Sequence, residues 1–172
     1  MARILAVDAA CAATYHEAGF DAAEVPVRQA SDFAKLARAY SVKVAEADYV
    51  AAGMLAWRDE TPGVAYIADL QVDPAYQRFG IASTLLVAMF DEARDLGLRQ
   101  VVVRCWERAP WAIKFYESHG FKPIGPDAPA KVTGWADDDR GRPLTRPGEL
   151  ALWADLPKPE NDPDDEERPS EA

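Results

Sequence analysis

Cysteine is scarce in this chain of 172 residues: Cys11 and Cys105 stand alone and far apart. That excludes a disulfide framework and a thiolate zinc site. His16 and His119 are too few and too scattered for a metal cluster, so no metal is expected. Basic charge is also short, with 19 Lys and Arg against 29 Asp and Glu for a net charge of -10. No nucleic acid is expected as a partner, because phosphate binding needs clustered Lys and Arg. The same balance argues against an anionic membrane surface and favours a cationic acceptor such as an amine. No apolar run approaches the roughly 18 residues of a membrane span. The first run, residues 4–7, is cut by Asp8, short of the about 7–15 apolar residues of a secretory signal. A cytoplasmic location is the expectation.

What is present is an ordinary globular composition, 49% apolar. It suits one domain, expected over residues 1–156, followed by an acidic, Pro-rich disordered tail over 157–172. Ile4, Val7, Cys11 and Tyr15 recur at helical spacing, with Asp8 and Glu17 off that face, so residues 2–18 read as a helix closed by Gly19. Ser31 is read as the cap of a short helix over 32–40. Strands are expected over 42–47 and 49–58, joined at Asp48, with turn chemistry over 59–63. A third strand covers 64–72, with Tyr66, Ala68, Leu70 and Val72 assigned to one face. A long helix follows over 80–96, a buried strand over 100–106, and a helix over 111–119 opened by Pro110. Residues 121–124 begin another strand, 125–148 read as a long loop, and 149–156 as a last strand.

The most informative segment runs from Val72 to Leu86: a strand end, a turn at Asp73-Pro74, then a tight loop opening directly into the long helix. Such a helix start carries unpaired N–H groups and a positive dipole end, which together suit a diphosphate. Gln77-x-x-Gly80-x-Ala82 resembles the acyl-CoA diphosphate loop of the GCN5-related N-acetyltransferases (GNAT), written Q/R-x-x-G-x-G/A. Ala112-Ile113-Lys114-Phe115-Tyr116-Glu117-Ser118-His119-Gly120-Phe121 resembles the A-x-x-F-Y-E-x-x-G-F segment of the same family. Order and spacing agree over roughly residues 2–125. Two departures stand out. Ala109 occupies a position where many members have Asn, and the family's first strand is missing or very short ahead of the first helix.

The resemblance implies an α/β fold, a mixed and mainly antiparallel splayed sheet flanked by helices. It implies acetyl-CoA as co-substrate and acetyl transfer to a primary amine, on a small molecule or a peptide, by direct attack in a ternary complex. Homodimers are common in the family. The implied cofactor contacts are backbone groups of Leu70, Gln71 and Val72, then Gln77 and the main chain of Arg78, Phe79, Gly80, Ile81, Ala82 and Ser83. Tyr116 is implied near the cofactor sulfur. Its phenol, with pKa about 10 against about 8.5 for a thiol, serves by donating a hydrogen bond. Asp69 is the candidate base, directly or through a water, with Glu107 the runner-up. Trp106 and Trp111 flank the acyl site and are candidates to wall the acceptor, together with Glu107; Tyr15, His16 and Glu17 are further acceptor-side candidates. The alternative is a degenerate domain that binds acyl-CoA as a sensor or scaffold without turnover.

Overall fold

A computed structural model describes residues 1–136 and 145–157. The chain opens with α1 (Ala2–Glu17) and α2 (Ala30–Ala39), then runs through strands β1 (Ser41–Ala47), β2 (Val50–Thr61) and β3 (Val64–Val72). A short 3-10 turn at Pro74–Tyr76 leads into α3 (Ile81–Asp95), β4 (Gln100–Trp106) and α4 (Pro110–Glu117). The last elements are β5 (Lys122–Pro123), α5 (Ala130–Ala136) and β6 (Glu149–Asp155). One six-stranded sheet has the order β1-β2-β3-β4-β6-β5. Every neighbouring pair is antiparallel except β3 and β4, which are parallel and joined through α3. The expected α/β sheet flanked by helices is what the structure contains. No strand precedes α1 among the described residues.

Two apolar layers sandwich the sheet. On one face Leu55, Trp57, Ile67, Val101 and Val103 pack with Leu86, Met89 and Phe90 of α3 and with Tyr116 of α4. On the other, Met54 and Ala56 meet Phe33 of α2 and Ile4 and Leu5 of α1, while Val64 and Val102 meet Val132 and Trp135 of α5. Gly53 makes the close approach of β2 to β3 possible. A Cβ there would lie 2.7 Å from the Gln71 carbonyl oxygen and 3.3 Å from the Ile81 side chain.

Several expectations need correction. The cap of α2 is not Ser31: Gln29 precedes the helix, and its amide donates to the Asp32 carboxylate at 3.0 Å. The segment over 59–63 is mostly strand, because β2 stays paired as far as Thr61. The β1–β2 turn takes both Asp48 and Tyr49 at positive φ, so β2 begins only at Val50. The long loop over 125–148 contains α5, whose Val132 and Trp135 fill the sheet face; residues 137–144 lie outside the described part, as does the expected tail beyond Pro157. Asp8, placed off the buried face of α1, is buried at 1% exposure.

The most consequential correction concerns β3. Ile67 pairs with Trp57 and Asp69 with Ala56, so Ala68 is an extra residue with no opposite number on β2. This bulge resets the alternation. Tyr66 and Leu70 therefore lie on opposite faces, Tyr66 toward α5 and Leu70 toward the α3 layer. Asp69 and Gln71 turn toward α1 and the segment that carries Arg28.

Candidate functional site

The parallel pairing of β3 and β4 covers residues 64–67 and 100–103 and then stops. Beyond it β3 stays bonded to β2 as far as Val72, and β4 stays bonded to β6 as far as Trp106. The two strands part, and a wedge opens in the middle of the sheet. The Asp73 amide donates to the Ala52 carbonyl on the β2 side at 2.8 Å. Period-two alternation then aims the backbone groups of Leu70 and Val72 into the wedge. The Val72 carbonyl accepts there from Cys11 Sγ at 3.3 Å and from Gln77 Nε2 at 3.1 Å.

Gln77 thus ties the following loop back to the strand that feeds it. Asp73 fixes the turn, accepting from the Ala75 amide at 2.9 Å and from Arg3 Nη2 at 2.5 Å. The loop then enters the left-handed region twice, at Arg78 (φ 65) and at Gly80 (φ 80). A non-glycine residue held there stores strain, a feature concentrated at ligand-binding turns. Gly80 is the N-cap of α3, and nothing lies within 4 Å of where its Cβ would be. The space beside Gly80 at the start of α3 is therefore open. Phe79 projects outward at 77% exposure, whereas Ile81 packs on the core. Ser83 Oγ meets His119 Nε2 at 3.0 Å, which ties the start of α3 to the end of α4.

A cluster of titratable groups surrounds Asp69 of β3. Asp69 pairs with Arg28 Nη1 at 2.5 Å. Burial pushes its carboxyl pKa up, with the Arg28 charge pulling the other way. Asp8 accepts from the Arg28 amide at 2.8 Å and from Gln71 Nε2 at 2.9 Å, and lies 3.4 Å from Arg28 Nε. Burial opposes the Arg28 charge, but the two carboxylates hold the guanidinium protonated. Tyr116 is buried with its ring edge-on to Phe115 and Phe121. Burial raises its pKa well above the ordinary phenol value, and the nearby Cys105, Tyr15 and Asp69 add to the rise. Tyr15 is raised by burial, opposed by a hydrogen bond from the Trp111 indole. Both cysteines are held as thiols, Cys11 pushed up by burial to about 12 and Cys105 to about 11. Asp69 contributes to the rise at Cys11, Tyr15 and Tyr116 alike.

At the rim, Tyr15 meets Phe20 and Trp111 with ring centroids at 5.2 Å and 5.3 Å, and Phe20 meets Trp106 at 5.8 Å. Trp111 remains 42% exposed, and Glu107 is exposed. His16 is drawn away, with Nε2 at 2.8 Å from the Val25 carbonyl. Asp8, Arg28 and the aromatic Phe20 escaped the sequence reading. They come from α1 and the segment after it, and only the tertiary fold brings them to β3 and β4. The burial of Asp8 had one faint signal, a lone carboxylate between the apolar residues 4–7 and 9–13. Among the described residues no group of three or more His, Cys, Asp or Glu could hold a metal ion. Among them, too, no helix is long and apolar enough to cross a membrane.

The acetyltransferase (GNAT) family model matches residues 8–121, two thirds of the chain. No curated protein sequence matches. Solved structures share the fold at low identity. The PaiA N-acetyltransferase of Thermoplasma acidophilum, in complex with coenzyme A, superposes with a TM-score of 0.66 at 12% identity, covering 89% of this chain and 91% of that one. The ribosomal-protein-S18-alanine N-acetyltransferase of Escherichia coli gives 0.57 at 20% identity, over 78% and 82% of the two chains. A GNAT family acetyltransferase from Elizabethkingia anophelis with acetyl-CoA bound gives 0.56 at 14%, over 74% and 84%.

Proposed function

The chain belongs to the acetyltransferase (GNAT) family, and on that premise we propose that it moves the acetyl group of acetyl-CoA to a primary amine by direct attack. The observation that carries the reading is the wedge between β3 and β4, which leads to the left-handed turn at Gly80 and the open helix start behind it. A diphosphate would fit there because the open space beside Gly80, which any side chain would fill, adjoins the first amides of α3. The amides of residues 78–83 would hold it, with Arg78 adding charge at the rim. The backbone of Leu70, Gln71 and Val72 would hold the arm that leads to the thioester, Leu70 and Val72 through groups aimed into the wedge. Acetyl-CoA supplies the acetyl group as an activated thioester.

The acceptor nitrogen must lose a proton before it attacks, and the C–S bond must break to release a thiolate. Asp69 is the proposed base, because its raised pKa moves a carboxylate toward the working pH. It faces the α1 side of the sheet, where Tyr15, Phe20, Trp106 and Trp111 form an aromatic wall for the acceptor. Glu107 lies beside that wall on the exposed rim. Tyr116 lies in the opposite layer, so a thioester lodged in the wedge lies between the two. The phenol is a weaker acid than a thiol by about 2 kcal/mol even at ordinary pKa values, and burial widens that gap. Tyr116 therefore stabilises the leaving sulfur by a hydrogen bond and does not surrender its proton. Fixed donors aimed at developing charge do the same for the acetyl oxygen.

The acceptor class is a small primary amine, favoured by the acidic chain and the carboxylate in the wedge. The test is free thiol release from acetyl-CoA with the purified protein and a panel of amines and peptides. Acceptor-dependent release supports transfer. Tight acetyl-CoA binding with no release across the panel overturns turnover and leaves a binding domain.

A further inference from the structure

We infer that His119 is a positioning residue that couples coenzyme binding to the uptake of one proton, acting through the hydroxyl of Ser83. The inference rests on the reading that the start of α3 holds the coenzyme diphosphate. Its basis is a chain of hydrogen bonds whose directions can be assigned. His119 Nδ1 lies 2.8 Å from the Phe115 carbonyl and 3.1 Å from Ser118 Oγ. Ser118 Oγ already donates its hydrogen to that same carbonyl at 2.7 Å. A carbonyl only accepts, and the Ser118 hydrogen is committed, so Nδ1 must carry a hydrogen and donate it.

In the neutral ring this leaves Nε2 as an acceptor. Its partner at 3.0 Å is Ser83 Oγ, which must then donate to the ring. A serine in that state turns lone pairs, not a proton, to whatever occupies the helix start. That is the wrong polarity for a diphosphate. With Nδ1 held as a donor, only the doubly protonated ring keeps the bond to Ser83 while releasing the serine hydrogen. Nε2–H then donates to Ser83 Oγ, and the serine hydrogen is free to point at a phosphate oxygen. The proton comes from solvent and rests on His119 Nε2, and no covalent bond changes.

The surroundings suit that exchange. His119 sits just past the C-terminal end of α4, with Nε2 turned to Ser83 at the start of α3. The titratable side chains on the two packed helices are Lys114, Tyr116 and Glu117 on α4 and Asp91, Glu92, Arg94 and Asp95 on α3. Among the described residues none of these hydrogen-bonds or pairs with the ring, whose polar partners are Phe115, Ser118 and Ser83. The Phe115 ring packs against it at 4.5 Å between centroids.

The test is calorimetric titration with 3′-dephospho-acetyl-CoA. That compound keeps the diphosphate but lacks both the phosphomonoester, which titrates near about pH 6, and the free thiol. Titrations at pH 7.5 in buffers of different ionisation enthalpy count the protons exchanged. Net uptake is expected with the unaltered protein, together with a Kd about 3- to 10-fold tighter at pH 6.5 than at pH 8. Ser83→Ala removes the hydroxyl without touching the ring and should abolish both effects. His119→Gln should do the same while still binding. Binding without proton uptake, or uptake that persists in Ser83→Ala, overturns the inference and leaves the diphosphate reading standing. Absence of binding overturns both.

Discussion

Replacing Gly80 by alanine separates a stability effect from a binding effect, because this protein contains its own controls. Gly80 has φ 80, Gly97 has φ 77 and Gly19 has φ 90, and at none of the three would a Cβ meet an atom within 4 Å. An alanine at each position therefore carries the same backbone penalty of about 1–2 kcal/mol and no clash. For a chain of this size that corresponds to a Tm drop of about 2–8 °C in all three variants. On the proposed placement, only at position 80 does the added methyl enter the space through which a diphosphate approaches the amides of residues 78–83. Losing two charge-assisted hydrogen bonds amounts to about 3–6 kcal/mol. Gly80→Ala should then weaken coenzyme A binding by about 100-fold or more, whereas Gly97→Ala and Gly19→Ala should leave it unchanged. Calorimetric Kd values beside thermal melts give both quantities. A Kd for Gly80→Ala within about 3-fold of that for Gly97→Ala would refute the placement of the diphosphate.

Tyr116→Phe should lower kcat by about 10- to 100-fold with little change in KM for acetyl-CoA, since a hydrogen bond to a charged group contributes about 1.5–3 kcal/mol; an unchanged kcat removes it from the chemistry. If Asp69 accepts the proton, the rate must fall as pH drops through its pKa. That pKa is raised, so the acid limb of the kcat/KM profile lies above the ordinary carboxylate range, and Asp69→Asn abolishes the limb. Arg28→Met removes the charge that holds this pKa down, so the limb should move to higher pH; a limb that stays put or moves down contradicts the Asp69 assignment. The same substitution strips buried Asp8 and Asp69 of their partner and should cost about 3–5 kcal/mol in denaturant unfolding. Gly53→Ala drives a Cβ to 2.7 Å from the Gln71 carbonyl, a backbone atom that cannot swing aside. It should destabilise the fold by about 1–3 kcal/mol, read as a lower Tm.

The sequence carried those features that local chemistry determines. Helix-period apolar residues marked α1 and α3, the valines of residues 101–103 marked β4, and the turn at Gly80 marked the start of α3. It carried less where a single residue changes the count. Ala68 looks like any strand residue, yet as a bulge it reverses which face Leu70 and Asp69 occupy, and no alternation pattern reveals an insertion of one. The cap of α2 was misplaced because Ser31 is the better capper by type, whereas the hydrogen bond that forms is the Asp32 carboxylate to the Gln29 amide. Helix α5 was hidden by the Gly and Pro around it, and it forms because Val132 and Trp135 have a sheet face to cover. The Asp8–Arg28–Asp69 group joins three distant segments through charge and burial, which no local spacing encodes.

The account stands on the coenzyme entering between β3 and β4 and ending at the start of α3. Amide NMR spectra recorded while coenzyme A is titrated into the protein test that placement directly. The largest shifts should fall on Leu70, Val72 and the amides of residues 80–83, with β1 and the outer edge of β5 unmoved. Shifts centred on another face, or none at millimolar coenzyme, would contradict it.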